Sequence, residues 1–379
     1  MKLNIVGGGP SGLYFAILMK KQDAAHEITI YERNGPDDTF GWGVVFSGKT
    51  LANLSEADAG SHAEITSHFE AWDNVDVVQG DSKISIHGNS FSGIARLRLL
   101  KILQQRAQQL GIGLIFNHEI KDFETLRTSS DLLIGADGVN SGLRSFYSQY
   151  FLPDLDVRKH RYIWYGTHQL FHGLTLTFRE NEAGVFASHS YKFSRDTSTF
   201  IVECDPETWQ RAGFSNMNDD EMRSYLHTVF RRDLGDEPLL SNNSKWINFV
   251  RVKNRNWFFD NVALLGDALH TAHFSIGSGT KLAMEDAIEM ARCFQRHPDV
   301  DEALAEFDRV RRPVIDNYQV AAGESMEWFE NASRYIGLSS WELAYSVMTR
   351  SGRVTLEDLR TRDPEFVRQY ENSRLSSAN

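Results

Sequence analysis

The chain alternates between short apolar runs and stretches that are apolar at helical spacing. Residues 2–6 (Lys-Leu-Asn-Ile-Val) read as a buried strand and residues 13–21 as a helix. Residues 27–33 read as a second strand, ending in an acid and a base. Residues 74–87 alternate well enough for one or two strands. Residues 96–110 form a strong amphipathic helix with Leu99, Leu100, Leu103, Ala107 and Leu110 on one face. Further apolar strands are expected at 113–116, 131–136 and 261–265, and the last leads through a Gly-rich turn into a helix at 282–291. Between 161 and 204 the texture changes. The runs 162–165, 174–178, 184–193 and 199–202 are β-rich and separated by turn residues, which predicts an antiparallel sheet and a second domain. A helix at 219–232 and a basic, aromatic crossing segment at 245–257 lead back to the first domain at Val262. From 301 onward the chain reads as charged helix, with a break near Pro313.

The turns between these elements carry the candidate chemistry. Gly7-Gly8-Gly9-Pro10-Ser11-Gly12 lies between the first strand and the first helix, and Glu32 stands about 20 residues beyond Gly12. This is a complete strand–turn–helix–strand dinucleotide fingerprint. Gly7, Gly9 and Gly12 hold its glycine positions, and Glu32 is placed to accept hydrogen bonds from ribose hydroxyls. Two more acids, Asp137 and Asp267, follow directly after buried strands, where ligands of open parallel sheets sit. The turn from Gly266 to Lys281 ends at a helix N-terminus, whose free N–H groups and dipole favour an anion. Arg96 and Arg98 occupy the first turn of their helix, the unfavourable end for a cation, which points to an anionic partner. Two glycines around an aromatic in Phe40-Gly41-Trp42-Gly43-Val44-Val45-Phe46-Ser47 suggest backbone lying against something flat.

Composition narrows the class. The chain has 379 residues, room for two domains, and a net charge of −11, which argues against nucleic-acid binding. No apolar run approaches a membrane span. No secretory signal is expected, and Cys204 and Cys293 make neither a disulfide framework nor a metal site, so both are expected to be small core residues in a cytoplasmic protein. No second Gly-x-Gly-x-x-Gly follows a strand, so a separate nicotinamide domain is not expected.

Taken in order, Gly7-x-Gly9-x-x-Gly12 with Glu32, Asp137-Gly138 and Gly266-Asp267 resemble the motifs of the class A flavoprotein aromatic hydroxylases, which have the para-hydroxybenzoate hydroxylase-like fold. The stretches 40–47, 91–96 and 270–286, with Trp328-Phe329-Glu330 and Thr349-Arg350-Ser351, are similar to the monooxygenase part of salicylyl-CoA 5-hydroxylases and anthraniloyl-CoA monooxygenases. The resemblance spans nearly the whole chain. It departs from the wider superfamily at Leu269, Phe274 and Lys281, where Ala, Pro and Asn are usual, and the last two recur in the aryl-CoA subgroup. It implies an α/β fold in which a Rossmann-like FAD-binding domain (1–72, 91–158 and 256–300) is interleaved with an antiparallel β-sheet substrate domain (73–90 and 159–255). C-terminal helices over 301–379 complete it.

The resemblance also implies FAD as cofactor, NADH or NADPH as co-substrate, and dioxygen, with oxygen reaching an aromatic ring through a flavin C4a-hydroperoxide. The implied cofactor-binding residues are Gly7, Gly9, Gly12, Glu32, Arg33 and Arg96, with Asp137, Asp267, Gly277, Gly279, Thr280 and Lys281. Backbone N–H groups at Gly279 to Lys281 are placed to stabilise a reduced, anionic flavin. His189, His273, the Phe274 backbone and Val45 are the catalytic candidates; no metal is expected. The aromatic runs 162–193 and the Trp42 loop are the expected wall and lid. The implied substrate is an ortho-hydroxy or ortho-amino benzoyl thioester such as salicylyl-CoA. Two basic clusters, Arg158-Lys159-His160-Arg161 and Lys245, Arg251, Lys253, Arg255, offer themselves to coenzyme A phosphates or an acidic carrier protein. The alternatives are a hydroxylase of a free indole or tryptophan-derived intermediate, and a non-hydroxylating flavin reductase on the same scaffold.

Overall fold

In the computed structural model, which describes residues 1–377, the first apolar strands assemble into a six-stranded sheet. Its order is Phe258–Phe259, Val262–Leu264, Leu132–Gly135, Lys2–Val6, Glu27–Tyr31, Gly113–Ile115. All neighbours are parallel except the outermost pair, Phe258–Phe259 with Val262–Leu264. The central strands Leu132–Gly135 and Val262–Leu264 are buried at every position. That is why they read as continuous apolar runs without alternation: helices cover both faces of a parallel sheet. Helices Pro10–Gln22 and Gly279–Arg296 pack against each other, and the core gathers Leu3, Ile5, Tyr14, Phe15, Ile134, Leu264 and Met284.

The larger sheet has the order Leu239–Leu240, Pro153–Thr167, Ser198–Cys204, Gly184–Lys192, Leu174–Asn181, Val75–Gln79, Ser82–Ile86, with Ile247–Asn254 also paired to Pro153–Thr167. It is antiparallel apart from one junction, where Leu174–Asn181 meets Val75–Gln79 in parallel. Its two faces are both covered. One packs on Phe186, Phe200, Phe214 and Phe230, the other on Phe178, Trp328, Phe329 and Leu343. A third, small sheet joins Gly43–Ser47, Phe91–Ala95 and Glu70–Trp72 between the two.

Two expectations need correction. The strand Pro153–Thr167 runs whole in the larger sheet, so a domain division at 158/159 would cut it; we place that division before Pro153. The break near Pro313 does not occur, because one helix spans Val300–Glu330. An interior proline removes a donor and crowds the preceding turn, a cost of about 3 kcal/mol. Pro313 is exposed, while Phe307, Arg311, Ile315 and Gln319 are buried along the opposite face. Their packing on both sides of the proline outweighs the local cost. Of the expected 301–379 segment, residues 378 and 379 lie outside the described residues.

Helices Gly279–Arg296 and Val300–Glu330 are joined by a buried ionic group. Asp286 has no solvent exposure. It bonds His270 Nε2 at 2.7 Å and accepts from Arg311 Nε at 2.7 Å. Burial would raise its pKa, but His270 and Arg311 outweigh that and hold it below the usual carboxylate value. A depressed folded-state pKa contributes stability that is present above the unfolded value and lost as pH falls through the folded one. Asp286→Ala leaves the buried Arg311 with only the longer 3.4 Å contact to Glu285 and leaves His270 Nε2 without its carboxylate. It is expected to lower unfolding free energy by about 3–5 kcal/mol, measured as a fall in the urea midpoint at neutral pH, and to flatten the acid limb of the stability–pH curve.

Candidate active site

The glycine turn is built by contacts that only glycine allows at two of its three positions. Gly7 has φ +111°, and a Cβ there would lie 2.2 Å from the Ala136 carbonyl oxygen. A Cβ on Gly12 would lie 2.4 Å from the Gly7 oxygen. Gly9 is different: a Cβ there meets nothing within 4 Å. The fold therefore requires Gly7 and Gly12, whereas Gly9 borders open space of the kind a pyrophosphate would fill. Glu32 closes the turn by accepting from Gly8 N–H and Asn34 N–H, each at 2.8 Å. Arg33 beside it is exposed.

Three helices start at this crevice, and none has a side-chain cap. Their N-cap residues are Gly9, Ala95 and Ser278. Elsewhere Asp58, Asp122, Asn218, Asp299, Ser339 and Thr355 do cap their helices. Uncapped N–H groups at the site leave the dipole ends available to an anionic ligand. The polar side chains around them are also short of partners. Asp137 Oδ2 accepts from Gly142 N–H at 2.8 Å, but its Oδ1 has none. Arg96 Nε is likewise unpartnered. Asp267 sits in the turn Gly266–Ala268 with its carboxylate open to the crevice. Protein crowding on its other sides pushes its pKa up, opposed first by the Arg96 charge. These groups fit the flavin dinucleotide that the motifs imply: open glycine backbone, free helix N-termini, an acid at a ribose position, and an arginine awaiting an anion. Gly277, with φ +61°, turns the chain into Ser278, and Gly279 and Thr280 open the helix. The Lys281 side chain turns away from this opening to donate to Tyr318 Oη at 2.6 Å.

The structure brings three of the four catalytic candidates together. The His273 ring is 4.1 Å from Phe274, and His189 is 5.3 Å from Phe274 at an edge-on angle. Tyr162 lies 4.6 Å from Phe274, Phe249 4.8 Å from His273, and Phe329 4.6 Å from His189. Val45 is not among them; it is half-buried on the small sheet, paired with Gly93. The flat partner of the Trp42 loop proves to be protein. A Cβ on Gly41 would lie 2.7 Å from the Trp164 ring, and one on Gly166 2.7 Å from the Trp42 ring.

Behind the rings are ionisable groups that the sequence reading did not single out. Glu203, 1% exposed, meets His189 Nε2 at 2.5 Å, and its other oxygen lies 3.5 Å from His160 Nε2. Burial would raise the Glu203 pKa; the hydrogen bond from His189, then the electrostatic pull of the His189, His160 and His273 rings, hold it below the usual value. On the other side, His273 Nδ1 is 2.8 Å from Ser275 Oγ, which is 2.8 Å from Ser325 Oγ. Arg350 Nε donates to Ser325 Oγ at 2.9 Å. Burial pushes His273 down to about 3, so it is neutral at pH 7. Glu203 left one signal in the sequence, an acid inside the wholly buried strand Ser198–Cys204. Ser325 left none, and Arg350 only its place in the stretch Thr349-Arg350-Ser351, since their meeting depends on how distant helices dock.

The two basic clusters converge, because Pro153–Thr167 and Ile247–Asn254 are paired strands. Part of their charge is answered within the chain. Arg158 pairs with Glu330 at 2.5 Å, Arg251 with Asp156 at 3.5 Å, and Arg161 stacks 4.0 Å over Trp209. Lys159, Lys253 and Arg255 have no ion pair among the described residues. Cys204 and Cys293 are buried free thiols. Among the described residues there is no acid, histidine or cysteine cluster that could hold a metal, and no helix long and apolar enough to cross a membrane.

Comparison with known proteins agrees with this geometry. A family described as an FAD binding domain matches residues 1–318. The salicyloyl-CoA 5-hydroxylase of a Streptomyces species is 38% identical over 97% of this chain and 72% of its own length. The 3-hydroxy-4-methyl-anthranilyl-[aryl-carrier protein] 5-monooxygenase of Streptosporangium sibiricum is 32% identical over 95% of this chain and 97% of its own. The protodeoxyviolaceinate monooxygenase of Chromobacterium violaceum is 32% identical over 92% and 94%. In fold, 2-methyl-3-hydroxypyridine-5-carboxylic acid oxygenase superposes with a TM-score of 0.71 at 19% identity, covering 95% of this chain and 97% of that one.

Two variants separate folding from cofactor binding. Gly9→Val introduces its side chain into open space, so the protein should fold with unchanged far-UV circular dichroism but purify without flavin absorbance. A yellow Gly9→Val protein would remove the pyrophosphate from this turn. Asp267→Ala should fold and bind FAD more weakly by about 1.5–3 kcal/mol, the worth of hydrogen bonds to a charged group, read from a flavin titration.

Proposed function

We propose, for a chain that belongs to the FAD binding domain family and is an FAD-dependent aromatic monooxygenase, that it uses NAD(P)H and dioxygen to hydroxylate an ortho-hydroxy or ortho-amino benzoyl thioester. The observation that carries this reading is the ring cluster of Phe274, His273, His189 and Tyr162, set against buried ionisable groups at the face of the larger sheet. A substrate ring is gripped by aromatic edges and faces, and its polar substituent is met by an imidazole. Two relatives support the thioester, one named for a CoA ester and the other for an aryl-carrier protein. The unpaired Lys159, Lys253 and Arg255 lie along the strands that lead from Tyr162 to the surface, where the phosphates of coenzyme A or an acidic carrier would meet them.

In this reading the chain's own residues bind, orient and exclude water. The turn Gly7 to Gly12 and Glu32 would hold the adenosine diphosphate part of FAD, Asp267 and Arg96 its central part, and the N-terminus at Gly279 to Lys281 would offer its N–H groups to negative charge on the ring. Bound FAD would pass electrons from NAD(P)H to dioxygen, the source of the transferred oxygen atom. Interlocked Trp42 and Trp164 close the site from the small sheet, and a dry site protects reactive oxygen from loss to water. A second reading, a free indole-type substrate, draws on the protodeoxyviolaceinate monooxygenase relative.

Salicylate and salicylyl-CoA decide between them when NADH and NADPH oxidation is followed with product mass. The thioester should accelerate oxidation and give a product one oxygen heavier. Equal turnover of the free acid, or turnover of an indole acid alone, would overturn the thioester assignment.

A further inference from the structure

His189 and His273 flank Phe274, and each is locked by a neighbour that can act in only one sense. Glu203 is a buried carboxylate held ionised, and an ionised carboxylate only accepts hydrogen bonds. The 2.5 Å contact therefore places the His189 proton on Nε2. When the ring is neutral, His189 Nδ1 keeps its lone pair, and that atom has no partner among the described residues. At His273 the lock has the opposite sense. Ser275 N–H, which can only donate, points to His273 Nδ1 at 3.3 Å and makes that nitrogen the acceptor, so the Ser275 hydroxyl 2.8 Å away donates to it as well. Arg350 donates to the Ser325 oxygen, which leaves the Ser325 hydroxyl hydrogen able to turn to Ser275. Neutral His273, both of whose Nδ1 contacts are donors, carries its proton on Nε2. That N–H has no partner among the described residues.

Strand register makes the first lock. Ala187 and Tyr162 both stand opposite Glu203, so His189 and His160, each two residues away on its strand, share its face. The second lock comes from the C-terminal helices, through Ser325 on Val300–Glu330 and Arg350 at the end of Ser340–Thr349.

We propose that this pair of oppositely locked imidazoles selects the substrate: His189 Nδ1 accepts from a ring hydroxyl or amino group, while His273 Nε2–H donates to the carbonyl oxygen beside it. Glu203 and Arg350 are the positioning residues that set the two senses. A benzoyl group with an ortho hydroxyl or amino substituent presents such a neighbouring donor and acceptor. The proposal rests on the aromatic-thioester reading above and adds to it a rule: a ring whose ortho group cannot donate is rejected. Accepting the donor's hydrogen bond also places His189 to take the proton, breaking O–H or N–H and forming Nδ1–H, with the charge of the imidazolium answered by Glu203.

The test is ligand binding to the FAD-loaded protein, followed by flavin absorbance, with salicylyl-CoA and its 2-methoxybenzoyl-CoA counterpart. The wild-type protein should prefer the hydroxyl ester by about tenfold or more, as expected when a buried acceptor is otherwise left unpaired. In Glu203→Gln the amide N–H can donate to His189 Nε2, which moves the imidazole proton to Nδ1. The preference should collapse or invert, with flavin content unchanged. A merely structural role for Glu203 would weaken both esters alike and keep their ratio, and that result would overturn the proposal. Nitrogen-15 spectra of histidine-labelled wild-type protein, assigned with His189→Asn and His273→Asn, give an independent reading. His189 should be protonated on Nε2 with a bare Nδ1, and His273 likewise protonated on Nε2. A proton on Nδ1 of either ring overturns the proposal even if Glu203→Gln does not fold. If the wild-type protein binds neither ester, the thioester assignment falls, and the spectra still decide whether the two rings are locked as stated.

Discussion

Asp286 is a carboxylate sealed from water, and the crevice keeps its shape because His270 and Arg311 meet it there. A lone buried charge is costly, so the three side chains must stay together. His270 lies in the loop that follows the strand-end acid Asp267, Asp286 lies on the helix whose N-terminus faces the crevice, and Arg311 lies on the long C-terminal helix. Fixing one carboxylate therefore fixes a loop, a helix start and the helix behind them. Thr50, bonded to Glu285 at 3.1 Å, ties the helix after the small sheet to the same group. The distance between Asp267 and the glycine turn follows from this arrangement. Gly266 is pressed so close to Ser11 that a Cβ would lie 2.6 Å from its hydroxyl oxygen.

Around that fixed frame the molecule leaves selected polar groups unsatisfied. Side chains cap the helices that start after Asn218, Asp299 and Ser339, yet the helices starting after Gly9, Ala95 and Ser278, like the one after Ser47, have bare N-termini. A cap is worth about 1 kcal/mol, so its absence at three ends that meet in one crevice is a cost that a bound anion can offset. Asp137 Oδ1 and Arg96 Nε, buried and unpartnered, belong to the same pattern. By contrast, the polar cleft of about 390 Å³ behind the larger sheet pairs its charges internally, Asp76 with Lys83 and Arg179 with Asp233.

The cofactor half was largely legible in the sequence. Strand, glycine turn, helix and terminal acid all fall within the first 32 residues, so hydrophobic period and turn chemistry were enough to read them. The strand-end acids Asp137 and Asp267 were visible for the same local reason. The proposed substrate site was legible only in fragments. His189, His273 and Phe274 could be named as residue types, but no local pattern showed that they share one face with Glu203 and Tyr162. Register across three strands decides that, and a shift of one residue would have turned His189 to the opposite core.

The sequence by itself thus determined the class of fold, the dinucleotide turn and its acid, and the buried state of Cys204 and Cys293, because each follows from neighbours a few residues away. Tertiary structure alone decided the rest. The helix Val300–Glu330 continues through Pro313 because packing on its inner face outweighs a local penalty. Arg158 and Arg251 of the basic ribbon are neutralised because Glu330, Asp154 and Asp156 arrive beside them. Arg350 reaches the His273 side through Ser325 and Ser275 from a distant helix, and Glu203 meets His189 and His160 through the register of three strands. Local propensity carries no information about such meetings. They are set by which faces can be buried together, and that is a property of the folded whole.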